Sequence, residues 1–157
     1  MYFCHIFIKN NIFTDSEIIA RQEVLVENYI MQVQIESRVL GDLSQNHIIP
    51  IAIKYQNELI KNLQGLKSLG LKDKNDMRLK TLEKISKHIN TIILQGKNMI
   101  LARKKANKLE SREAAYAYCN EVKPYFEVIR RACDKLELLI DDELWTLPKY
   151  REMLFIR

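Results

Sequence analysis

Apolar residues follow one helical face between Ser111 and Ile140. They recur at alternating steps of three and four, and the opposite positions are polar or charged. The average step, about 3.5 residues, nearly matches one turn of an α-helix and keeps one face continuously apolar. The alternation at two that a strand would need is absent. The pattern therefore predicts an amphipathic helix whose apolar stripe is Ala115, Tyr118, Val122, Tyr125, Ile129, Ala132, Leu136 and Leu139.

A second stripe with the same spacing lies directly upstream. It consists of Leu82, Ile85, Ile89, Ile92, Gly96, Met99 and Arg103. Two such stripes joined by a few polar residues predict an antiparallel helical hairpin, with Ile89 and Ile129 in its core. Gly96 lies on the stripe, where the missing side chain permits close approach of another helix. Pro124 lies inside the last helix, so a kink is expected there.

The first half of the chain predicts two further helices. One begins at a T-x-x-E capping box formed by Thr14 and Glu17. Its two neighbouring apolar rows predict a wide face that contacts more than one partner. These rows are Ile19, Val26, Ile30 and Val33, and Ile18, Leu25 and Tyr29. Pro50 is expected to kink or break this helix, and a second helix then runs to Gly70 and the polar loop GLKDKND, residues 70–76.

The two ends of the chain differ from its middle. Residues 1–11 (MYFCHIFIKNN) are bulky and aromatic, typical of a single strand or an irregular lead-in. A lone strand needs a partner, so this segment either docks on a missing piece or is an artefact of the start site. The segment LWTLPKYREMLFIR is rich in large apolar side chains, which predicts that it docks. These side chains are Trp145, Tyr150, Leu154 and Phe155.

The expected fold is therefore all-α. It is an elongated antiparallel bundle of three or four long helices with a short C-terminal docking element. Scarcity of Gly and Pro, four and three residues, fits a few long helices with few corners. We divide the chain into an atypical lead-in, residues 1–11, and one C-terminal helical domain, residues 12–157.

A polar stretch at residues 36–47 is the first candidate for chemistry. It is interpreted either as a polar site between helices or as a solvated face near a helix end, and the continuing apolar rhythm favours the solvated face. Its polar members are Glu36, Ser37, Arg38, Gly41, Asp42, Ser44, Gln45, Asn46 and His47. An acid–base set of Glu36 with Arg38 or His47 is conceivable, but nothing in the spacing requires it.

Two charged clusters are the other candidates. The basic cluster could contact phosphate or nucleic acid, but cations are also favoured at a helix C-terminus by the helix dipole, and we favour the second interpretation. Its members are Arg103, Lys104, Lys105 and Lys108. The acidic run Asp141, Asp142 and Glu143 could bind a cation. Three consecutive residues of a helical turn point apart, however, which favours a solvated helix terminus.

Composition argues against several other functions. The net charge of +5 over 157 residues is too mild and too interspersed to demand a nucleic-acid partner. Neither a membrane-spanning apolar run nor a signal peptide is visible. The odd set Cys4, Cys119 and Cys133 has no CxxC pair and shares no ligand spacing with the histidines, which favours a reducing cytoplasm and no zinc site. Phosphate-loop, G-x-S-x-G and HExxH motifs are absent. We identify no catalytic, cofactor-binding or metal-binding residue.

Two long segments carry a resemblance to a known family. Residues 34–60 (QIESRVLGDLSQNHIIPIAIKYQNELI) and Ala117 to Phe155 (AYCNEVKPYFEVIRRACDKLELLIDDELWTLPKYREMLF) resemble the C-terminal helical region of type III glutamine synthetases. The resemblance covers roughly Ile12 to Arg157, and the two motifs occur in the same order. The first eleven residues depart from the family's pattern, so the chain is expected to be a fragment that lacks the catalytic core.

The resemblance implies a parent ligase that uses ATP and Mg²⁺ to join ammonia to glutamate through a γ-glutamyl phosphate. It also implies a cytoplasmic homo-oligomer of stacked hexameric rings, and an upstream catalytic core as the partner of this region. The family's metal, ammonium and nucleotide sites match no position in this chain. We therefore expect a structural or assembly element that is inactive alone and binds neither nucleic acid nor membrane. The alternatives are a stand-alone helical protein-interaction module and, more weakly, a basic helical nucleic-acid-binding module.

Overall fold

A computed structural model of the chain describes residues 2–71 and 77–154, and the regular structure in these ranges is entirely helical. The elements are α1 (Tyr2–Lys9), α2 (Asp15–Asp42), a π-helical turn π1 (Leu43–Ile48), α3 (Ile49–Ser68), α4 (Met77–Ala106), α5 (Ser111–Ala117), a second π-helical turn π2 (Tyr118–Val122), α6 (Pro124–Leu139) and α7 (Tyr150–Met153). The all-α prediction is confirmed. Of the predicted loop 70–76, residues 72–76 lie outside the described ranges.

One helical run extends from α2 through π1 into α3. Its parts contain 28, 6 and 20 residues, so it is about 80 Å long at 1.5 Å per residue. Pro50 lies inside this run, so of the kink or break predicted there the break is wrong. In π1 the backbone N–H of Ile49 donates to the carbonyl of Ser44, five residues back. The wider turn keeps the chain helical across the position where proline supplies no N–H.

Pro124 is accommodated in the same way. The backbone N–H of Lys123 donates to the Tyr118 carbonyl, five residues back, at 3.0 Å. The distortion that proline was expected to cause therefore takes the form of π2, directly before α6. Both prolines in the bundle helices follow a π-helical turn, which lets each run continue along the core.

The long α2–α3 run is antiparallel to α4. Residues later in the α2–α3 run hydrogen-bond to residues earlier in the stretch from α4 to Asn107. The pairs are Gln34 with Asn107 at 2.9 Å, Gln56 with Ser86 at 2.7 Å, and Asn62 with Arg78 at 3.0 Å. The α5–α6 run then returns alongside α2, where Arg112 Nη2 donates to Gln22 Oε1 at 3.3 Å. The described chain is thus a bundle of three long helical runs.

The predicted hairpin core is confirmed. Ile129 is 0% exposed and Ile89 is 7% exposed, and the interface of α4 with α6 is the most extensive in the described bundle. The other buried members of the two stripes are Ile85, Ile92, Gly96, Met99, Tyr118, Val122, Ala132 and Leu136. A Cβ atom added to Gly96 would lie 3.3 Å from Gln45 Nε2. Gly96 therefore permits the close approach of π1, as its place on the stripe predicts.

The amino-terminal segment is helical, so the strand or irregular lead-in expected for residues 1–11 is wrong for residues 2–9. The chain turns at Asn11, which has a φ of 52°, and the ring centroids of Phe7 and Phe13 lie 5.6 Å apart. The predicted capping box starts α2. The Thr14 N–H donates to Glu17 Oε2 at 2.8 Å, and the Glu17 N–H donates to Thr14 Oγ1 at 3.3 Å.

The segment after α6 docks in part. Trp145 is half-buried and packs against the core. Buried Lys149 donates from Nζ to the Glu137 carbonyl at 3.2 Å and to Asp142 Oδ1. Leu154, by contrast, is 70% exposed, so its predicted docking is wrong. The side chain of Tyr150, and all of Phe155, lie outside what the structure describes.

Candidate functional site

The polar stretch 36–47 divides between exposed and buried side chains. Glu36, Arg38 and His47 are exposed, in agreement with the solvated face that the sequence favours. Ser37 and Ser44, in contrast, are each 1% exposed, so the solvated face predicted for the stretch does not include them. Both hydroxyls donate within α2 and π1, to the Gln34 carbonyl at 2.8 Å and the Gly41 carbonyl at 3.1 Å. These small, internally bonded side chains let α4 approach closely.

A polar network centred on exposed Asn107 joins the three helical runs. Asn107 Oδ1 accepts a hydrogen bond from the hydroxyl of Tyr118, which is 0% exposed, at 2.5 Å, and another from Gln34 Nε2 at 2.9 Å. Arg103 Nη1 reaches Ser37 Oγ at 3.4 Å nearby. Because the buried Tyr118 hydroxyl finds its hydrogen-bond partner within the protein, the network helps to fix the register of the helices.

The side chains of each charged cluster lie in different surroundings. The basic cluster spans the end of α4, but Arg103 turns inward to Ser37 while Lys104, Lys105 and Lys108 are exposed. The acidic run also divides. Asp141 Oδ1 accepts from the Glu143 N–H at 2.9 Å, whereas Asp142 pairs with Lys149. Neither cluster converges on one point.

The titratable side chains outside these clusters are dispersed. Burial raises the pKa of the Cys133 thiol to about 12, and the neighbouring Asp134 carboxylate acts in the same direction. Burial also lowers the pKa of His88, assisted by Lys87 and Lys135. Among residues 2–71 and 77–154, no three histidine, cysteine or carboxylate side chains are grouped as a metal ion would need. The side chains of Cys4 and His5 lie outside the description.

Exposed apolar side chains form a row along α2. We name Val24, Met31, Ile35 and Val39 the outer stripe. They follow steps of seven, four and four on the face opposite buried Val33, and each is 50–55% exposed. Sequence reasoning missed this stripe because it assigned only the inward rows, although the spacing was visible. It also overestimated the burial of the inward rows, since the structure leaves Ile19 56% and Leu25 68% exposed.

A groove lies beside the first turns of α2, where α5 begins. We name it the amino-terminal groove; its volume is about 530 Å³. Ile19 and Val26 provide its apolar lining. The polar lining is Gln22, Glu23, Glu27, Glu110, Ser111 and Arg112. The Arg112 guanidinium is already hydrogen-bonded to Gln22 across the two helices. The groove therefore combines an apolar surface with a mostly acidic border.

Comparison with known proteins identifies the family resemblance. Residues 3–67 match the family model of the glutamine synthetase C-terminal domain. The chain is 45% identical, over 97% of its length, to a glutamine synthetase of Bacteroides fragilis (strain YCH46). It is 25% identical, again over 97% of its length, to a type-3 glutamine synthetase of Dictyostelium discoideum. A glutamine synthetase of Butyrivibrio fibrisolvens is 29% identical over 96% of the chain.

The match covers only part of each relative. The chain spans 22%, 21% and 22% of their lengths, and the matched region is their C-terminal portion. The resemblance predicted from the two sequence motifs is therefore confirmed. The family match begins at residue 3, in α1, whereas the sequence motifs placed its start near Ile12.

In the described ranges, no helix has the length and apolar character needed to cross a membrane.

Proposed function

Because this chain carries the C-terminal helical domain of glutamine synthetases, we propose that it is a structural and assembly element without an active site of its own. Its partner is the catalytic part that precedes the matched region in the relatives. The outer stripe is the observation that carries this proposal. A row of half-exposed apolar side chains on one helix face is typical of a surface that contacts another protein.

The chemistry itself is assigned to that preceding part. Forming glutamine from glutamate and ammonia through a γ-glutamyl phosphate requires groups that hold ATP, Mg²⁺ ions at the transferring phosphoryl group, and a carboxylate near the ammonia. No phosphate-loop motif is present in this chain. We propose that the complete enzyme is a cytoplasmic homo-oligomer and that this domain stabilises its assembled form.

Mixing the two parts tests the proposal. The segment of the Bacteroides fragilis enzyme that precedes the matched region is produced separately and mixed with this chain. We expect the pair to sediment as one complex and to form glutamine faster than the catalytic part alone. This chain by itself should form no glutamine and bind no Mg·ATP in calorimetric titration. A chimera, in which this chain replaces the homologous region of that enzyme, provides the same test if the separated part does not fold.

The outcomes separate the alternatives. Turnover or Mg·ATP binding by this chain alone, after removal of host synthetase, would contradict an inactive assembly element. A chain that neither binds the catalytic part nor supports a stable chimera would point to the stand-alone interaction module. A nucleic-acid-binding module would require sub-micromolar DNA affinity at physiological salt. We expect only weak, steeply salt-dependent binding, because the basic residues are scattered.

A further inference from the structure

The amino-terminal groove differs in charge from the rest of the chain. The whole sequence carries a net charge of +5. The groove, in contrast, is lined by the carboxylates of Glu23, Glu27 and Glu110 and by a single guanidinium, that of Arg112. Arg112 of α5 donates to Gln22. Arg21 of α2 stacks over the Phe13 ring, 4.4 Å from its centroid. The border of the groove is therefore complementary to a cation.

The groove also has an apolar component. Ile19, 56% exposed, and Val26, half-buried, lie one above the other on α2, seven residues apart and therefore on one helix face. A volume of about 530 Å³ lies within the range of sites that take a ligand-sized group. An occupant must therefore present an apolar side chain between positive charges. An amphipathic segment with Lys or Arg beside Leu or Ile has this composition.

The position of the groove indicates where such a segment comes from. The groove lies at the end of the bundle where α1 turns into α2, close to the amino-terminal end of the described chain. About four fifths of each relative lies outside the match, and this remainder precedes the matched C-terminal portion. The polypeptide that precedes the domain in these enzymes therefore enters at the same end of the bundle as the groove.

We propose that the amino-terminal groove binds a cationic amphipathic segment of the preceding catalytic part of glutamine synthetase. This inference rests on the proposed function, because it names the surface through which the domain meets that partner. The apolar lining contributes burial, while the three carboxylates select for positive charge and accelerate association. The outer stripe is a separate surface and is not required for this contact.

Charge reversal tests the inference. The probe is the separately produced catalytic part of the Bacteroides fragilis enzyme, and its Kd for this chain is measured by titration calorimetry at two salt concentrations. The double variant Glu23→Lys with Glu27→Lys should raise Kd at least tenfold. The matched control, Glu58→Lys with Glu83→Lys, reverses two exposed glutamates elsewhere and should change Kd less than twofold. Ile19→Gln, compared with Leu94→Gln at the same 56% exposure, tests the apolar lining.

The readouts distinguish the two levels of the proposal. Thermal melting by circular dichroism establishes that each variant is folded, and Glu23→Gln with Glu27→Gln replaces the lysine pair if that pair unfolds the chain. If the unaltered chain binds but the groove and control variants behave alike, the groove assignment is overturned while the assembly function stands. If the unaltered chain neither binds the catalytic part nor supports a stable chimera with it, both are overturned. Selective weakening by the groove variants, reduced at high salt, supports both.

Discussion

Replacing Ile129 with alanine should destabilise the bundle strongly. The side chain is 0% exposed, in the interface of α6 with α4. Removing its three outer carbons loses about 2.4 kcal/mol of transfer free energy at about 0.8 kcal/mol for each buried CH₂. The cavity left behind brings the expected range to about 2–5 kcal/mol, and the better helix propensity of alanine returns only about 0.4 kcal/mol. We expect a net loss of about 2–4 kcal/mol in the free energy of unfolding.

Urea denaturation, followed by far-ultraviolet circular dichroism, measures this loss. The neighbouring Val128, 42% exposed on the same helix, is the matched control. Val128→Ala should change the free energy of unfolding by less than about 0.5 kcal/mol, as most surface substitutions do. Ile89→Ala, on the facing stripe, should behave like Ile129→Ala. Losses below about 0.5 kcal/mol at both Ile89 and Ile129 would refute the packing of α4 against α6.

Three further predictions follow from particular side chains. Gly65→Ala should stabilise the chain by about 0.5–1 kcal/mol through helix propensity, because a Cβ atom there meets nothing within 4 Å. Gly96→Ala should stabilise the chain less, since its Cβ atom would lie 3.3 Å from Gln45 Nε2. Urea denaturation curves of the two variants compare their free energies of unfolding. The Cys133 thiol, whose pKa is about 12 in the fold against 9.0 for a free thiol, should resist alkylation at pH 8, while exposed Cys119 reacts; peptide mass spectrometry measures both. Because the folded state holds the Cys133 proton more tightly than the unfolded state does, the contribution of Cys133 to the free energy of unfolding should fall as pH rises from about 9 to about 12. Lys149→Met should lower the free energy of unfolding by only about 1–2 kcal/mol, because the Asp142 partner of Lys149 is half-exposed. The same substitution should shift the fluorescence emission of Trp145, the single tryptophan, to the red. An unchanged spectrum would mean that Lys149 does not hold this segment in place.

Local chemistry made much of the fold predictable. The capping box at Thr14 and Glu17 depends on residues three positions apart, so it could be identified before any packing was known. The buried stripes of α4 and α6 could be identified for the same reason, because residues three or four apart share one helix face. That this chain contains no recognisable catalytic motif could also be read from the sequence alone.

The prolines show where local rules were insufficient. Pro50 removes a backbone donor whatever surrounds it, and the sequence correctly marks the disturbed position. Whether the helix breaks or widens depends on what the next turns gain by staying on the core. Ile48, Ile49 and Ala52 are buried on both sides of Pro50, so a π-helical turn that preserves this burial is favoured over a break.

The sequence by itself determined the helices, their apolar faces and the family resemblance, because each of these follows from residues close together along the chain. Only the tertiary structure decided which apolar residues are covered. Val33 is buried, while Ile19 on the same predicted row and Leu25 on the neighbouring row remain exposed. The reason is physical: periodicity fixes the direction of a side chain on its helix, whereas burial requires another element on that side. Beside Ile19 and Val26 the start of α5 forms one wall of the amino-terminal groove and does not cover it.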